Sequence, residues 1–322
     1  MDSHRHKCIT VLLILLGIVC ILATSTASYG VIIEQAILDS VVQIITSTNE
    51  TGTGFLMEGT FDETKDQKTA FLVTNKHMLG CWNPVNGKLV SINDWITVRF
   101  YRKKPESLGP VLDIRVQLKH PDGSLDTSQV ALHPDSSVDV VVVKLEQSIS
   151  KTKGFEGIIP LSILSRGYFK SFDSLPDGFT DIGSLVFALG YPRGITSVLT
   201  NRPVAKAGYL AAVPGQELAL NTKWKTCDGK EGSVIVRGKL FLIDGLIVPG
   251  NSGGPVLLPA GELFGQDLTS GKFQIRMTQK NRIIGIVSSG LGPSGLTYAY
   301  SSDYIDELIK SLLKTTSSKP VN

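Results

Sequence analysis

The chain has 322 residues, 42% hydrophobic and 19% charged, with Lys and Arg exceeding Asp and Glu by three (32 against 29). That composition suits a globular protein able to bury a core, and so small a surplus leaves no field that would gather nucleic acid. No basic stripe with interleaved aromatics and no zinc-type spacing of Cys and His is present.

Residues 1–27 read as an export segment. A polar start with Arg5 and Lys7 precedes an uncharged apolar run from Cys8 to Ala23, followed by small residues at Ser25 and Ala27. Basic, greasy, then small is the order of a signal peptide. A membrane anchor needs roughly 20 apolar residues and stays open if the run extends through the following small residues. Either way the basic end stays in the cytoplasm and the rest is expected outside it, secreted or periplasmic. Cys81 and Cys227 are the cysteines beyond this segment; an oxidising compartment would permit a bridge, but two cysteines set no framework. Asn49-Glu50-Thr51 has the N-glycosylation pattern, which has meaning in a eukaryotic secretory pathway.

Beyond it, the chain reads as short strands broken by turns. Candidate strands lie at 40–47, 51–58, 69–75, 95–101 and 111–118, and the valine-dense 138–145 reads as a strand buried on both faces. The pattern weakens after 145 and resumes at 183–192, 204–213, 233–243, 254–258, 272–278, 282–290 and 296–301. The period then changes: Tyr304, Ile305, Leu308, Ile309 and Leu312 fall on one helical face over 302–314, with Ser302 or Asp303 as cap. The predicted class is all-β: two packed six-stranded antiparallel barrels over 28–150 and 183–301, a crossover over 151–182, and a C-terminal helix and tail over 302–322.

The stretch VPGNSGGPVLL, 248–258, places Ser252 among glycines and prolines. Such residues make ordinary turns, so a nucleophile there needs a base and a group to orient the base. Histidine is the natural base near neutral pH. His4 and His6 lie in the export segment, and His120 and His133 precede prolines in polar turns that read as surface. His77 follows a buried strand in TNKH, where a rigid element can present it. Asp139 heads the valine run, and a carboxylate buried there would seek an imidazole N–H; Asp135, in a loop, is the second choice.

TNKH, VDVVVVKL and PGNSGGPV, in the order His, Asp, Ser, resemble the landmarks of chymotrypsin-fold serine proteases, most closely the bacterial HtrA-type and stand-alone trypsin-like peptidase branch. GTGFLME, GSLVFALGYPRG, GIVSSG and GLTYAY fall in matching order. The resemblance implies that Ser252 attacks the scissile carbonyl, His77 moves its proton and Asp139 holds the imidazole. The N–H groups of Gly250 and Ser252 would form the oxyanion hole. Leu246 and Ile247 would floor the specificity pocket, and Ser288, Ser289 and Gly290 would pair with substrate main chain. An apolar floor implies small or medium apolar residues before the cut bond rather than Lys or Arg. Asn251, neutral where digestive members carry an acid, implies no zymogen switch of that kind. HtrA-type chains continue into PDZ modules; here about eight residues follow the helix, so peptide-sensing regulation is not expected.

The expected activity is therefore an exported serine endopeptidase acting through an acyl-enzyme on protein or peptide substrates. No cofactor, metal or nucleic-acid partner is implied, and membrane contact would come only through an uncleaved N-terminal segment. A catalytically silent peptide-binding relative and an esterase-like hydrolase are the alternatives.

Overall fold

The computed structural model describes residues 33–60, 68–86, 88–100, 112–145, 164, 168, 181–196, 201–212, 218–225, 227–245, 247–266, 273–278 and 280–317. The expected signal peptide or anchor, most of the expected crossover and Leu246 lie outside these residues.

A short helix, α1 (Gln35–Ser40), leads into β1 (Val41–Thr46), whose β-branched residues suit a pleated, buried surface. β2 (Thr51–Thr60) and β3 (Lys68–Thr74) follow, then the hairpin β4 (Gly80–Asn83) and β5 (Lys88–Ile92). β6 (Trp95–Arg99), β7 (Asp113–Gln117), β8 (Val130–Leu132) and β9 (Val141–Lys144) complete the first half. Seven of these strands form one antiparallel sheet in the order β7-β6-β1-β2-β3-β9-β8, curled into a half-barrel. The two β halves and the closing helix are those expected, and the first half carries one strand more than the expected six: β8 joins its sheet from a segment with no candidate strand.

The second half comprises β10 (Leu185–Gly190), β11 (Val204–Ala212), β12 (Leu218–Lys225), β13 (Glu231–Gly238), β14 (Leu240–Asp244), β15 (Pro255–Leu258), β16 (Gly261–Gln266), β17 (Phe273–Thr278), β18 (Arg282–Gly290) and β19 (Leu296–Ser301). Six of them close a barrel in the order β10-β11-β14-β19-β18-β15, with β10 paired to β15 at the seam. β12–β13 and β16–β17 stand apart as two-stranded hairpins.

Each half has its own apolar core, and a third cluster joins them. β9 shows how. Val141 and Val143 point into the first core, while Val140 and Val142 point into the joining cluster. The run is apolar on both faces because both faces are buried. The C-terminal helix α2 (Asp303–Ser317) adds Tyr304, Ile305, Leu308, Ile309 and Leu312 to the same cluster, the face its sequence predicts. Burying an aliphatic side chain of this kind contributes about 1.5–3 kcal/mol. Cys81, on β4, and Cys227, in the turn between β12 and β13, are bonded across 146 residues of chain, with Cα atoms 5.7 Å apart.

Candidate active site

β3 and β9 run antiparallel with Thr74 opposite Val141, so the residues just past Thr74 and just before Val141 emerge at the same end of the sheet. Lys76–Met78 form one turn of 3₁₀ helix there, and Asp139 lies opposite. His77 Nδ1 is 2.6 Å from Asp139 Oδ2, and the His77 backbone N–H donates to Oδ1 at 3.2 Å. Asp139 is wholly buried, whereas the imidazole keeps 26% of its surface open. The buried carboxylate is tolerated because both its oxygens receive hydrogen bonds. With Nδ1 donating to Asp139, the ring presents Nε2 as a base. Burial opposes protonation of His77, but the Asp139 charge, the hydrogen bond and a smaller pull from Glu50 outweigh it, holding the pKa above the ordinary 6.5.

Ser252 sits on the loop between β14 and β15, and backbone geometry builds that loop. Gly250 and Gly253 have φ of 98° and 86°, values that favour glycine. A Cβ on Gly253 would stand 2.0 Å from the Thr53 carbonyl, and one on Gly250 2.4 Å from the Tyr191 carbonyl. Thr53, on β2, stitches the loop to the first half. Its N–H donates to Ser252 O at 2.9 Å, its hydroxyl to Gly250 O at 2.6 Å, and its carbonyl accepts from Thr74 Oγ1 at 2.8 Å. Among the described residues, no backbone carbonyl takes the N–H of Gly250 or of Ser252.

Ser288 joins the two halves of the site. It falls where the β18–β19 register shifts between Val287 and Ser289, an irregularity that re-aims a side chain. Its hydroxyl donates to Asp139 Oδ2 at 3.3 Å, and its carbonyl accepts from Ser252 Oγ at 2.7 Å. The Tyr298 hydroxyl bonds the same serine side chain, and burial raises the Tyr298 pKa and keeps the phenol neutral. Sequence reasoning places Ser288 in the substrate strand but carries no signal for its contact with the acid, which depends on the irregular pairing. Thr53 and Tyr298 were missed for the same reason: their partners are remote in the chain.

The remaining candidates sort by place. Ile247 is only 9% exposed and packs into the core of the second barrel. Its carbonyl lies 3.5 Å from where a Cβ on Gly290 would stand, so Gly290 neighbours the Ile247 main chain. Ser289 is half-buried beside an exposed Gly290. Asp135 turns its carboxylate onto the N–H and hydroxyl of Ser137. His133 corrects the surface reading of its polar turn: it is buried, with Nε2 3.3 Å from Glu307 and its ring edge-on to Tyr304 of α2. Helix packing covers a turn that looks solvated in the sequence.

The model of the trypsin-like peptidase domain matches residues 52–265, more than half of the chain. The chain belongs to the trypsin-like peptidase domain family. It is a serine-type peptidase, a hydrolase of protein or peptide substrates. No curated protein sequence matches it. Similar solved structures include the Rv3671c protease of M. tuberculosis. Its active form is 16% identical over 89% of this chain and 85% of that one, with a TM-score of 0.45. A serine-to-alanine mutant in the inactive form is 17% identical over 89% and 91%, with a TM-score of 0.44.

Proposed function

We propose that this trypsin-like peptidase is an exported endopeptidase that cuts through a Ser252–His77–Asp139 triad and an acyl-enzyme. One observation supports this most: a hydrogen-bonded path runs from the Ser252 hydroxyl through Ser288 to Asp139 and on to His77 Nδ1. That path supports reading Ser252, His77 and Asp139 as serine, base and acid of one locus.

At rest the Ser252 hydroxyl donates to Ser288 O. An incoming substrate, lying along Ser288–Gly290 as an added strand, offers its own N–H to that carbonyl. Rotation about the Ser252 side chain then turns the hydroxyl toward His77 Nε2. Nε2 takes the proton as Oγ bonds to the carbonyl carbon, and Asp139 stabilises the imidazolium. The N–H groups of Gly250 and Ser252 receive the developing oxyanion. Such a donor contributes on the order of 10²- to 10³-fold in rate. Collapse breaks the C–N bond, the amine leaves with the His77 proton, and water repeats the sequence on the ester.

The apolar Ile247 beside Gly290 favours small or medium apolar residues before the cut. Cleavage mainly after Lys or Arg in a peptide library would refute that preference. The Cys81–Cys227 bond suits an oxidising compartment, in keeping with export by residues 1–27. The decisive test is labelling by a fluorophosphonate, followed by digestion of a protein panel. Wild type is labelled and cuts proteins, and Ser252→Ala does neither. Labelling without proteolysis points instead to an esterase, and no labelling to a silent relative.

A further inference from the structure

Lys76 stands out among residues that the proposed mechanism does not use. It is 1% exposed, although lysine is almost never fully buried unless paired. Its Nζ donates to the carbonyls of His133 at 2.7 Å and Asp135 at 3.0 Å and lies 5.7 Å from the centroid of the Trp82 ring. Its neighbours reach the same loop: Asn75 Nδ2 donates to Asp139 O at 2.6 Å, and His77 meets the Asp139 carboxylate. Three consecutive side chains therefore grip one segment, 133–139, Lys76 at its start and Asn75 and His77 at its end.

We propose that Lys76 is a positioning residue: its ammonium draws the 133–139 loop against the histidine turn and so sets where Asp139 meets His77. This rests on the triad reading above. The site is built for a cation. The charges of Asp135 and Asp139 in the loop act on it although their carboxylates bond elsewhere, His77 flanks it in the turn, and Trp82 of β4 presents a ring face. Behind His133, Glu307 and Tyr304 of α2 press the loop inward. An ammonium out of water costs several kcal/mol unless such partners compensate, and two carbonyls with two nearby carboxylates do so.

Burial lowers the Lys76 pKa, the two carboxylates oppose that, and the balance lies at about 8. Above it the amine can still donate hydrogen bonds but no longer offers charge to the loop. The rate should thus fall on an alkaline limb that belongs to Lys76 rather than to the triad.

The test measures fluorophosphonate labelling and peptide kcat and KM from acid to alkaline pH. Lys76→Met should lower kcat on the order of 10- to 100-fold at neutral pH, with KM little changed, and should lack the alkaline limb. Lys76→Arg, which does not titrate, should recover rate and carry it further into alkaline pH. Asp135→Asn removes one carboxylate that keeps the ammonium charged, so the limb should move to lower pH while the acid limb of His77 stays. That variant reads the charge from outside the core, and its result stands even where position 76 tolerates no change. An Asp135→Asn limb that does not move, a wild type with no such limb, or a Lys76→Met enzyme indistinguishable from wild type overturns the inference. If wild type is unlabelled at every pH, the triad reading fails and takes this inference with it. If only the Lys76 effects are missing, the triad reading survives alone.

Discussion

The two halves hold their parts of the site by different means. In the first, side chains do the holding: Asn75, Lys76 and His77 each bond the 133–139 loop. In the second, the main chain does it: the serine loop owes its shape to positive-φ glycines and to Thr53 bonds onto its carbonyls. A side-chain grip can be loosened by degrees, one polar group at a time. A backbone turn packed this closely admits few intermediate states, because a single added carbon collides with a carbonyl.

Substitutions can break or sharpen this contrast. The largest effect is expected at the proposed nucleophile, where Ser252→Ala should lower kcat on the order of 10⁶-fold and abolish fluorophosphonate labelling, leaving the melting temperature near that of wild type. Next is Asp139→Asn, on the order of 10⁴-fold. Because the imidazolium cannot act as base, activity is present above the His77 pKa and lost as pH falls through it. With the pKa held above 6.5 by Asp139, the acid limb of kcat/KM should lie above 6.5 in wild type and move down in the variant. A limb that stays put would show that the acid does not set the base.

The disulfide tests whether the halves stay in place without a covalent tie. It joins the hairpin beside His77 to the β12–β13 hairpin of the second half. The chain-entropy relation gives up to about 5 kcal/mol for a closed loop of 146 residues. Replacing Cys81 and Cys227 with Ser should lower thermal stability markedly, read by melting temperature, with a smaller loss of kcat. Ser288→Ala should have the least effect. It removes the hydrogen bond to the charged Asp139 together with the one to Tyr298; a hydrogen bond to a charged acceptor is worth about 1.5–3 kcal/mol, so kcat should fall on the order of 10- to 100-fold with KM unchanged, since the carbonyl remains.

Legibility followed the same division. Strands with buried faces, such as 40–47 and 282–290, and the apolar stripe of α2 are readable because burial imposes a period. β4–β5 was not, since β5 leaves most of its residues at the surface and its placement depends on a bond to Cys227. β12 likewise mixes charge and apolar residues in a two-stranded hairpin. At the site, TNKH, the valine run and the serine loop point to His77, Asp139 and Ser252 as candidates, because each carries its type of chemistry locally. The burial of Lys76 and the aim of Ser288 arise from tertiary packing and an irregular strand pair, and no local pattern encodes them.

Those valines have a further consequence. In most strands, alternating apolar and polar residues index the pairing, since a slip by one residue would turn the wrong face to water. Val140 to Val143 are nearly degenerate in that respect: shifting them by one exchanges valine for valine at three of the four positions. Something other than greasiness must set the zero of this ruler. The polar anchors at its head, Asn75 on the Asp139 carbonyl and Lys76 on the carbonyls of His133 and Asp135, are placed to do so, and with the strand they would fix the height of the carboxylate.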